Sequence, residues 1–272
     1  MTFSEFWQNF YIKYISYGIY QEELTKNQSA TFGVFSKYHF ISTSLGILFI
    51  ILFFKLTKNF NSDRLMRHQK RISFIMLILE ILRMIWFIVY RHDKYFIRFD
   101  YCNQVCLFMP ILILIGAKNI YPFLSATAFL GGSGVLVYPL HVFSDYGGFH
   151  IMSIQSMISH TLMVLSSINL VRCHVTNTKK DFKQTYLLFF IMALISFTFS
   201  LIRNVNYMAM LSPEGLPLIN KVPAPFHIIF VIGAIDLGFY LFFLVEKKVE
   251  KYLLCPDIKE KYFKEETVLY EI

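Results

Sequence analysis

Seven apolar stretches, each close to the ~20 residues a helix needs to cross a ~30 Å hydrocarbon core, constrain this chain more than any other feature. They run Tyr38–Phe54, Ile72–Tyr90, Tyr95–Ala117, Ile120–Tyr138, Ile151–Val171, Thr185–Val205 and Phe226–Val245. Lipid offers no water to backbone N–H and C=O groups, so a spanning segment must satisfy them internally as a helix or a closed barrel. Runs this long and continuously apolar read as helices. The expected fold is therefore all-α: a polytopic membrane protein with seven transmembrane helices in one bundle. Charged residues make up 16% of the 272-residue chain, well below the ~25% of soluble domains. The tightest connection is Ala117-Lys118-Asn119, between spans three and four.

The placement of Lys and Arg gives an orientation. With the N-terminus outside, seventeen fall on inner segments, from Lys55 to Lys264, against seven on outer ones, and Arg83 and Arg203 lie within spans. The positive-inside rule then predicts N-out, C-in. Three regions follow. Residues 1–37 are extracytoplasmic, with Phe3, Phe6, Trp7, Phe10, Tyr14 and Tyr17 marking an interfacial amphipathic helix. Residues 38–246 form the bundle, and 247–272 form a charged cytoplasmic tail whose short helix ends before Pro256. The net charge of +8 sits at the ends of apolar blocks, as topology requires, so no nucleic-acid partner is expected. No internal repeat suggests an inverted-repeat transporter. The four cysteines, Cys102, Cys106, Cys173 and Cys255, show no bridging or metal-binding spacing.

Polar groups inside the spans need partners. Glu80 and Arg83 lie one turn apart in span two, Arg203 lies in span six and Asp236 in span seven. An isolated charge costs roughly 2.5–3.5 kcal/mol at mid-bilayer on insertion scales. The simplest pairing is Glu80 with Arg83 and Arg203 with Asp236, either as locks of the bundle or as a polar path. Span five carries two polar arcs: Ser153, Ser156, His160 and Ser167 on one, Gln155, Ser159, Ser166 and Asn169 on the other. Such a helix belongs inside the bundle. His160, at its centre, is a functional candidate by default, weighed against a satisfied structural imidazole. Span four offers Ser125, Ala126, Ala128, Gly131, Gly132 and Gly134, a small-residue surface for close helix approach.

Several chemistries can be set aside. His141 and Asp145 are spaced one residue too close for a His-x4-Asp acyltransferase pair, and His141, Asp145 and His150 around Gly147-Gly148 read as a flexible turn rather than a metal site. No metal or cofactor is expected. Gly131-Gly132-Ser133-Gly134 matches an intramembrane serine protease motif but reads more simply as helix packing. The remaining nucleophile is Cys102. At ~1.5 Å rise per residue it and His160 fall at similar depths, ~10–14 Å from the outer boundary, so a Cys–His pair is geometrically allowed. Cys106, one turn deeper, is the fallback.

His39, Cys102, His160 and the Asn206-Tyr207-Met208 run followed by Pro213 carry a resemblance. With these landmarks the chain resembles the YwaF-like family of bacterial integral membrane proteins, which has animal relatives among transmembrane ether-phospholipid acyltransferases. The resemblance implies a lipid-modifying role in a bacterial cytoplasmic membrane, with membrane lipids as the partners. It implies that Cys102 and His160 carry the chemistry: a phospholipid acyltransferase or acyl hydrolase working through a thioester. Asn103 or Gln104, by proximity, and Asn206 and Tyr207, by resemblance, are the expected substrate or oxyanion contacts. The competing class is a non-enzymatic carrier or sensor, with a structural His160 and the four intramembrane charges as its polar path.

Overall fold

The computed structural model describes residues 35–90, 95–138, 150–212, 221–223 and 226–262. The expected interfacial helix within residues 1–20, the His141 to Asp145 turn and Pro213 lie outside the described residues. Seven apolar helices follow in order: α1 (Lys37–Thr57), α2 (Ser62–Tyr90), α3 (Tyr101–Leu114), α4 (Tyr121–Val137), α5 (Ile151–Arg172), α6 (Thr178–Arg203) and α7 (His227–Leu253). Six are long and apolar enough to cross a membrane and α3 is the shorter seventh. The protein is all-α and polytopic.

Several boundaries differ from the hydropathy reading, for physical reasons. Helix α2 begins ten residues before Ile72, and α6 begins at Thr178 rather than Thr185, because charged interfacial residues continue a helix without adding hydropathy. Asn177 opens α6, its side chain accepting from Lys180 N at 3.2 Å. The largest correction falls on span three. Residues 95–100 are not helical, and α3 starts only at Tyr101 behind an extended Asp100 (ψ 151°). The far end of α3 closes through a left-handed Gly116 (φ 78°), where Gly116 N donates to Ile113 O and Ala117 N to Leu112 O. This is a Schellman-type stop, and a 3₁₀ turn at Lys118–Ile120 then carries the chain directly into α4. Helix α7 runs to Leu253, so residues 247–253 prolong the last span, and Pro256 opens a further short helix over residues 256–262. That segment is docked: Asp257 accepts from Ser62 N at 2.9 Å and from its hydroxyl, and Cys255 N donates to Arg172 O at 2.9 Å.

Helix α5 is the centre of the bundle, exposed chiefly at Ile151, Ile154 and Ile158. Its closest neighbour is α4, and the reason is local. A Cβ added at Gly132 would stand 2.7 Å from Val164 Cγ2 and 2.8 Å from the His160 carbonyl oxygen. One added at Gly131 would meet Met163 Cε and Tyr101 Cε1, both at 2.9 Å. Without interhelical hydrophobic drive in lipid, this close backbone approach maximises dispersion contact. The second polar arc of α5 faces α2. Gln69 Nε2 donates to Ser166 Oγ at 2.8 Å, Asn169 Nδ2 donates to Gln69 Oε1 at 2.9 Å, and Gln155 Nε2 donates to Leu79 O at 3.4 Å.

The two ends of the bundle are tied differently. At the Lys- and Arg-rich end, the fully buried Arg172 donates to Thr57 Oγ1 at 2.8 Å and Thr57 O at 2.6 Å, with its guanidinium 5.0 Å from the Phe54 ring. A cation here satisfies carbonyls that the end of α1 leaves without amides. At the opposite end, Leu136 O near the close of α4 accepts from His39 Nε2 at 2.9 Å and the Thr43 hydroxyl at 3.0 Å. There too His150 caps α5, its Nδ1 accepting from Met152 N at 3.1 Å.

These contacts can be tested by substitution and by pH. Gly132→Ala should destabilise the bundle by about 1–3 kcal/mol, because its methyl meets a backbone carbonyl that cannot yield. Gly134→Ala, with nothing within 4 Å of its Cβ, should be neutral or slightly stabilising; thermal unfolding in detergent separates the two. Burial pushes the His150 pKa down to about 4, below its unfolded value of roughly 6.5. The folded state therefore favours the neutral ring, and the cap needs its lone pair. Stability present above pH ~6.5 is lost as pH falls toward the folded value. Unfolding temperatures recorded from pH 7 down to pH 4 should show this loss, and His150→Asn, which keeps a cap, should flatten that part of the profile.

Candidate active site

The first turn of α3 positions Cys102. Phe99 stacks face to face on Phe199 with centroids 3.9 Å apart, and its carbonyl accepts from Gln104 Nε2 at 2.9 Å and Ser196 Oγ at 2.7 Å. Tyr101 OH donates to Thr127 O at 3.0 Å, fixing the same turn against α4. Cys102, the second residue of α3, is half-buried, and its thiol points at the Gly131 carbonyl at 3.8 Å. The helix therefore presents this thiol from its N-terminal turn, not from seven residues within a span.

His160 sits mid-helix in α5 and is buried. Its Nδ1 lies 2.7 Å from Ser156 O. A carbonyl cannot donate, so this geometry assigns the hydrogen to Nδ1 and the lone pair to Nε2. Nε2 is buried and has no hydrogen-bond partner among the described residues. A neutral imidazole with a free, desolvated lone pair is the form a general base takes.

The layer these groups share can be read from their neighbours. Helices α3 and α5 both run toward the basic end, and Cys106 Sγ meets Met163 Sδ at 3.4 Å. Cys102 lies four residues before Cys106 and His160 three before Met163. At ~1.5 Å rise per residue the two fall within about 1.5 Å of one depth. Gly131 and Gly132 lie between them, the first with its carbonyl at the thiol and the second against the His160 backbone. No hydrogen bond joins Cys102 to His160, so thiol and base share a layer without being engaged. Cys106, the fallback nucleophile, is buried against Met163 in the main core.

The expected oxyanion and substrate contacts make hydrogen bonds within the fold. Gln104 is buried, with its amide committed to Phe99 O and, at 2.6 Å, to Ser196 Oγ. Asn103 Nδ2 bonds Asp100 at 3.2 Å. Asn206 organises its own turn: its side chain accepts from Leu211 N at 2.8 Å and donates to Ser212 O at 2.9 Å. Tyr207 is fully buried, its hydroxyl 3.3 Å from Arg203 Nη1. These four residues are used in fastening residues 95–100 and the 3₁₀ turn at Tyr207–Ala209 over the end of α6, which leaves none of their donors aimed at Cys102. Ser133 is half-buried and bonded to Phe129 O at 2.6 Å, on a different side of α4 from the glycines that meet α5.

Of the intramembrane charges, Arg83 clasps Glu80 through two bonds, Nε to Oε2 at 2.9 Å and Nη2 to Oε1 at 2.5 Å, both residues buried. The Arg203–Asp236 pair does not form. Arg203 donates to Ile97 O at 2.6 Å and stands 5.0 Å from the rings of Tyr95, Phe99 and Phe199. It ends α6 at the level where α7 begins, whereas Asp236 lies nine residues into α7, ~14 Å deeper. Sequence reasoning also misses Arg172, which the charge count treats only as one more inner cation. Its position at the last turn of the most polar span is the available signal.

A family model described as the TMEM164 family matches residues 34–243. No curated protein and no solved structure matches the chain. The geometry gives a discriminating test of Gln104. Gln104→Leu should lower stability by about 0.5–1.5 kcal/mol, because it removes the amide's bonds to Phe99 O and Ser196 Oγ and leaves those two bonded to each other. A pure oxyanion donor would instead lose activity with unfolding unchanged, and a denaturation series distinguishes the outcomes.

Proposed function

Because the chain belongs to the TMEM164 family, with Cys102 and His160 in one layer of its bundle, we propose that it is a membrane-embedded acyltransferase or acyl hydrolase acting on phospholipid acyl esters. The observation that carries this reading is His160: a buried neutral imidazole whose Nδ1–H is held by Ser156 O while Nε2 stays unpartnered among the described residues.

In the proposed cycle Nε2 takes the Cys102 proton and the thiolate attacks the lipid ester carbonyl. The tetrahedral intermediate collapses, the imidazolium returns its proton to the leaving lyso-lipid alkoxide, and a thioester remains on Cys102. His160 then deprotonates an acceptor hydroxyl, or water, which attacks the thioester and releases the thiolate. A thiol is a poor nucleophile until ionised, so the step needs thiol and imidazole in contact. A rotation of the Cys102 side chain away from Gly131 O is the smallest movement in that direction. The acyl chain would enter from lipid, since the bundle is embedded in its own substrate.

The carrier reading draws less support. A polar path needs charges that a substrate can reach, whereas Arg83 is neutralised within its own helical turn and Arg203 is covered by a carbonyl and three rings.

The test is thioester trapping. Purified protein given an alkyne-tagged phospholipid should acquire a hydroxylamine-sensitive label at Cys102. His160→Ala should reduce the labelling rate by about a hundredfold or more, Cys102→Ala should abolish it, and Cys106→Ala should leave it in place. Label that persists in Cys102→Ala overturns the mechanism.

A further inference from the structure

Two cysteines lie outside the spans, far apart in sequence, and the fold brings them together at the Lys- and Arg-rich end. Cys173 follows α5 directly, and Cys255 lies two residues past the end of α7. Cys255 N donates to Arg172 O at 2.9 Å, which lays the backbone of one cysteine beside that of the other. Across one such bond the two Cα atoms stand about 5–6 Å apart, inside the ~4.4–6.8 Å that a disulfide requires. Their side chains turn toward each other, the two thiols sharing a hydrogen bond. Both are free thiols.

The surroundings suit thiol–disulfide chemistry. The Arg172 guanidinium lies close enough to act on both sulfurs. Its Nη1 and Nη2 are spent on Thr57, whereas the buried Nε has no partner among the described residues. A neighbouring cation favours the thiolate, which is the reactive form. Cys173 is half-buried and Cys255 fully buried, so a small oxidant meets Cys173 first and the second thiol waits behind it. By the positive-inside rule this end is cytoplasmic, and a reducing compartment does not maintain a permanent disulfide. A matched pair of thiols there is suited to a reversible one. What the bond would hold is the segment 256–262. Beyond the Cys255 amide, its ties are Asp257 to Ser62 and Lys247 Nζ to Tyr262 OH at 3.2 Å, all exposed. Exposed hydrogen bonds add little net stability, so this segment belongs to the part of the fold that opens locally.

We infer that Cys173 and Cys255 form a redox clasp: hydrogen peroxide joins them in a disulfide that pins residues 256–262 to the end of the central helix, and a small cytoplasmic thiol such as glutathione releases it. In the first step the Cys173 thiolate attacks one peroxide oxygen, the O–O bond breaks and hydroxide leaves, giving a sulfenic acid. The Cys255 sulfur then attacks the Cys173 sulfur and expels the second hydroxide. The two thiol protons convert both hydroxides to water, so two thiols and one peroxide yield one disulfide and two waters. Two electrons pass from sulfur to oxygen. In the reverse direction two glutathione thiols exchange with the disulfide and leave as glutathione disulfide. The clasp lies at the other end of the bundle from the Cys102 turn, and its test reads cross-linking and local opening rather than acyl transfer.

The experiment treats the full chain in phosphatidylcholine nanodiscs with hydrogen peroxide, alkylates the remaining thiols and maps peptides without reduction by mass spectrometry. A Cys173–Cys255 cross-linked peptide should appear, and reduced glutathione should remove it. Cys173→Ser and Cys255→Ser should each abolish it. Amide hydrogen exchange over residues 256–262 should slow about tenfold or more on oxidation, and peroxide should not change it in either variant. Sulfinic acid at Cys173 without a cross-link overturns the proposal. So does a cross-link that glutathione leaves in place, or one that leaves exchange over residues 256–262 unaltered. If one serine variant fails to fold, the other variant and the reversal in the unmodified protein still decide.

Discussion

The contact between Gly132 and the backbone of His160 sets the distances on which the rest of this bundle depends. Lipid provides no hydrophobic drive between helices, so association rests on dispersion and on interhelical hydrogen bonds. A glycine at that point brings α4 and α5 close enough for both. The approach also seats Gly131 beneath Tyr101 and Met163, which fixes where α3 can start and therefore where Cys102 is held. One missing side chain thus positions the candidate nucleophile, the candidate base and the wall between them.

The polar groups around this contact divide into those that hold the bundle and those that stay uncommitted. Gln69 with Asn169, Arg172 with Thr57, Glu80 with Arg83, and Gln104 with Ser196 are pairs in which donors meet acceptors, although Asn169 Oδ1, Arg172 Nε and Gln104 Oε1 keep no partner among the described residues. Buried polar groups in lipid are expensive unless matched, so closure is the expected state. His160 Nε2 departs from it, as do Asp236 Oδ1 and the Glu246 carboxyl among others. A residue that carries the cost of desolvation without the return of a bond is where chemistry is to be sought, and His160 is the one that shares a layer with the Cys102 thiol.

Much of the architecture is legible in the order of residues alone. The apolar runs mark the helices, because hydrophobic length is imposed by the bilayer and needs no tertiary context. The double polar decoration of Ile151–Val171 marks the central helix, since polar side chains avoid lipid. Depth arithmetic brings Cys102 and His160 to one layer, although it starts from a helix at Tyr95 that the structure moves to Tyr101. Charge pairing within one turn, as in Glu80 and Arg83, is local and readable. Pairing between helices is not: Arg203 lies level with the start of α7 and takes a carbonyl and aromatic rings instead of Asp236. Hydropathy also cannot show that residues 95–100 lie outside the helix, because Phe99 is as apolar stacked on Phe199 in a non-helical segment as it would be within a span.

The sequence by itself determined that this chain is an all-helical membrane protein, which apolar segments it buries and which end is basic. These are properties of composition along the chain, and the bilayer reads them directly. Only the tertiary structure decided which polar groups spend their donors on the fold. Asn103, Gln104, Asn206 and Tyr207 have the chemistry of site residues, but their hydrogen bonds go to the entrance of α3 and to the turn after α6, while His160 Nε2 is left without a partner among the described residues. Satisfaction of a buried polar atom depends on what another helix places opposite it, and that is a relation between distant residues that no stretch of sequence contains.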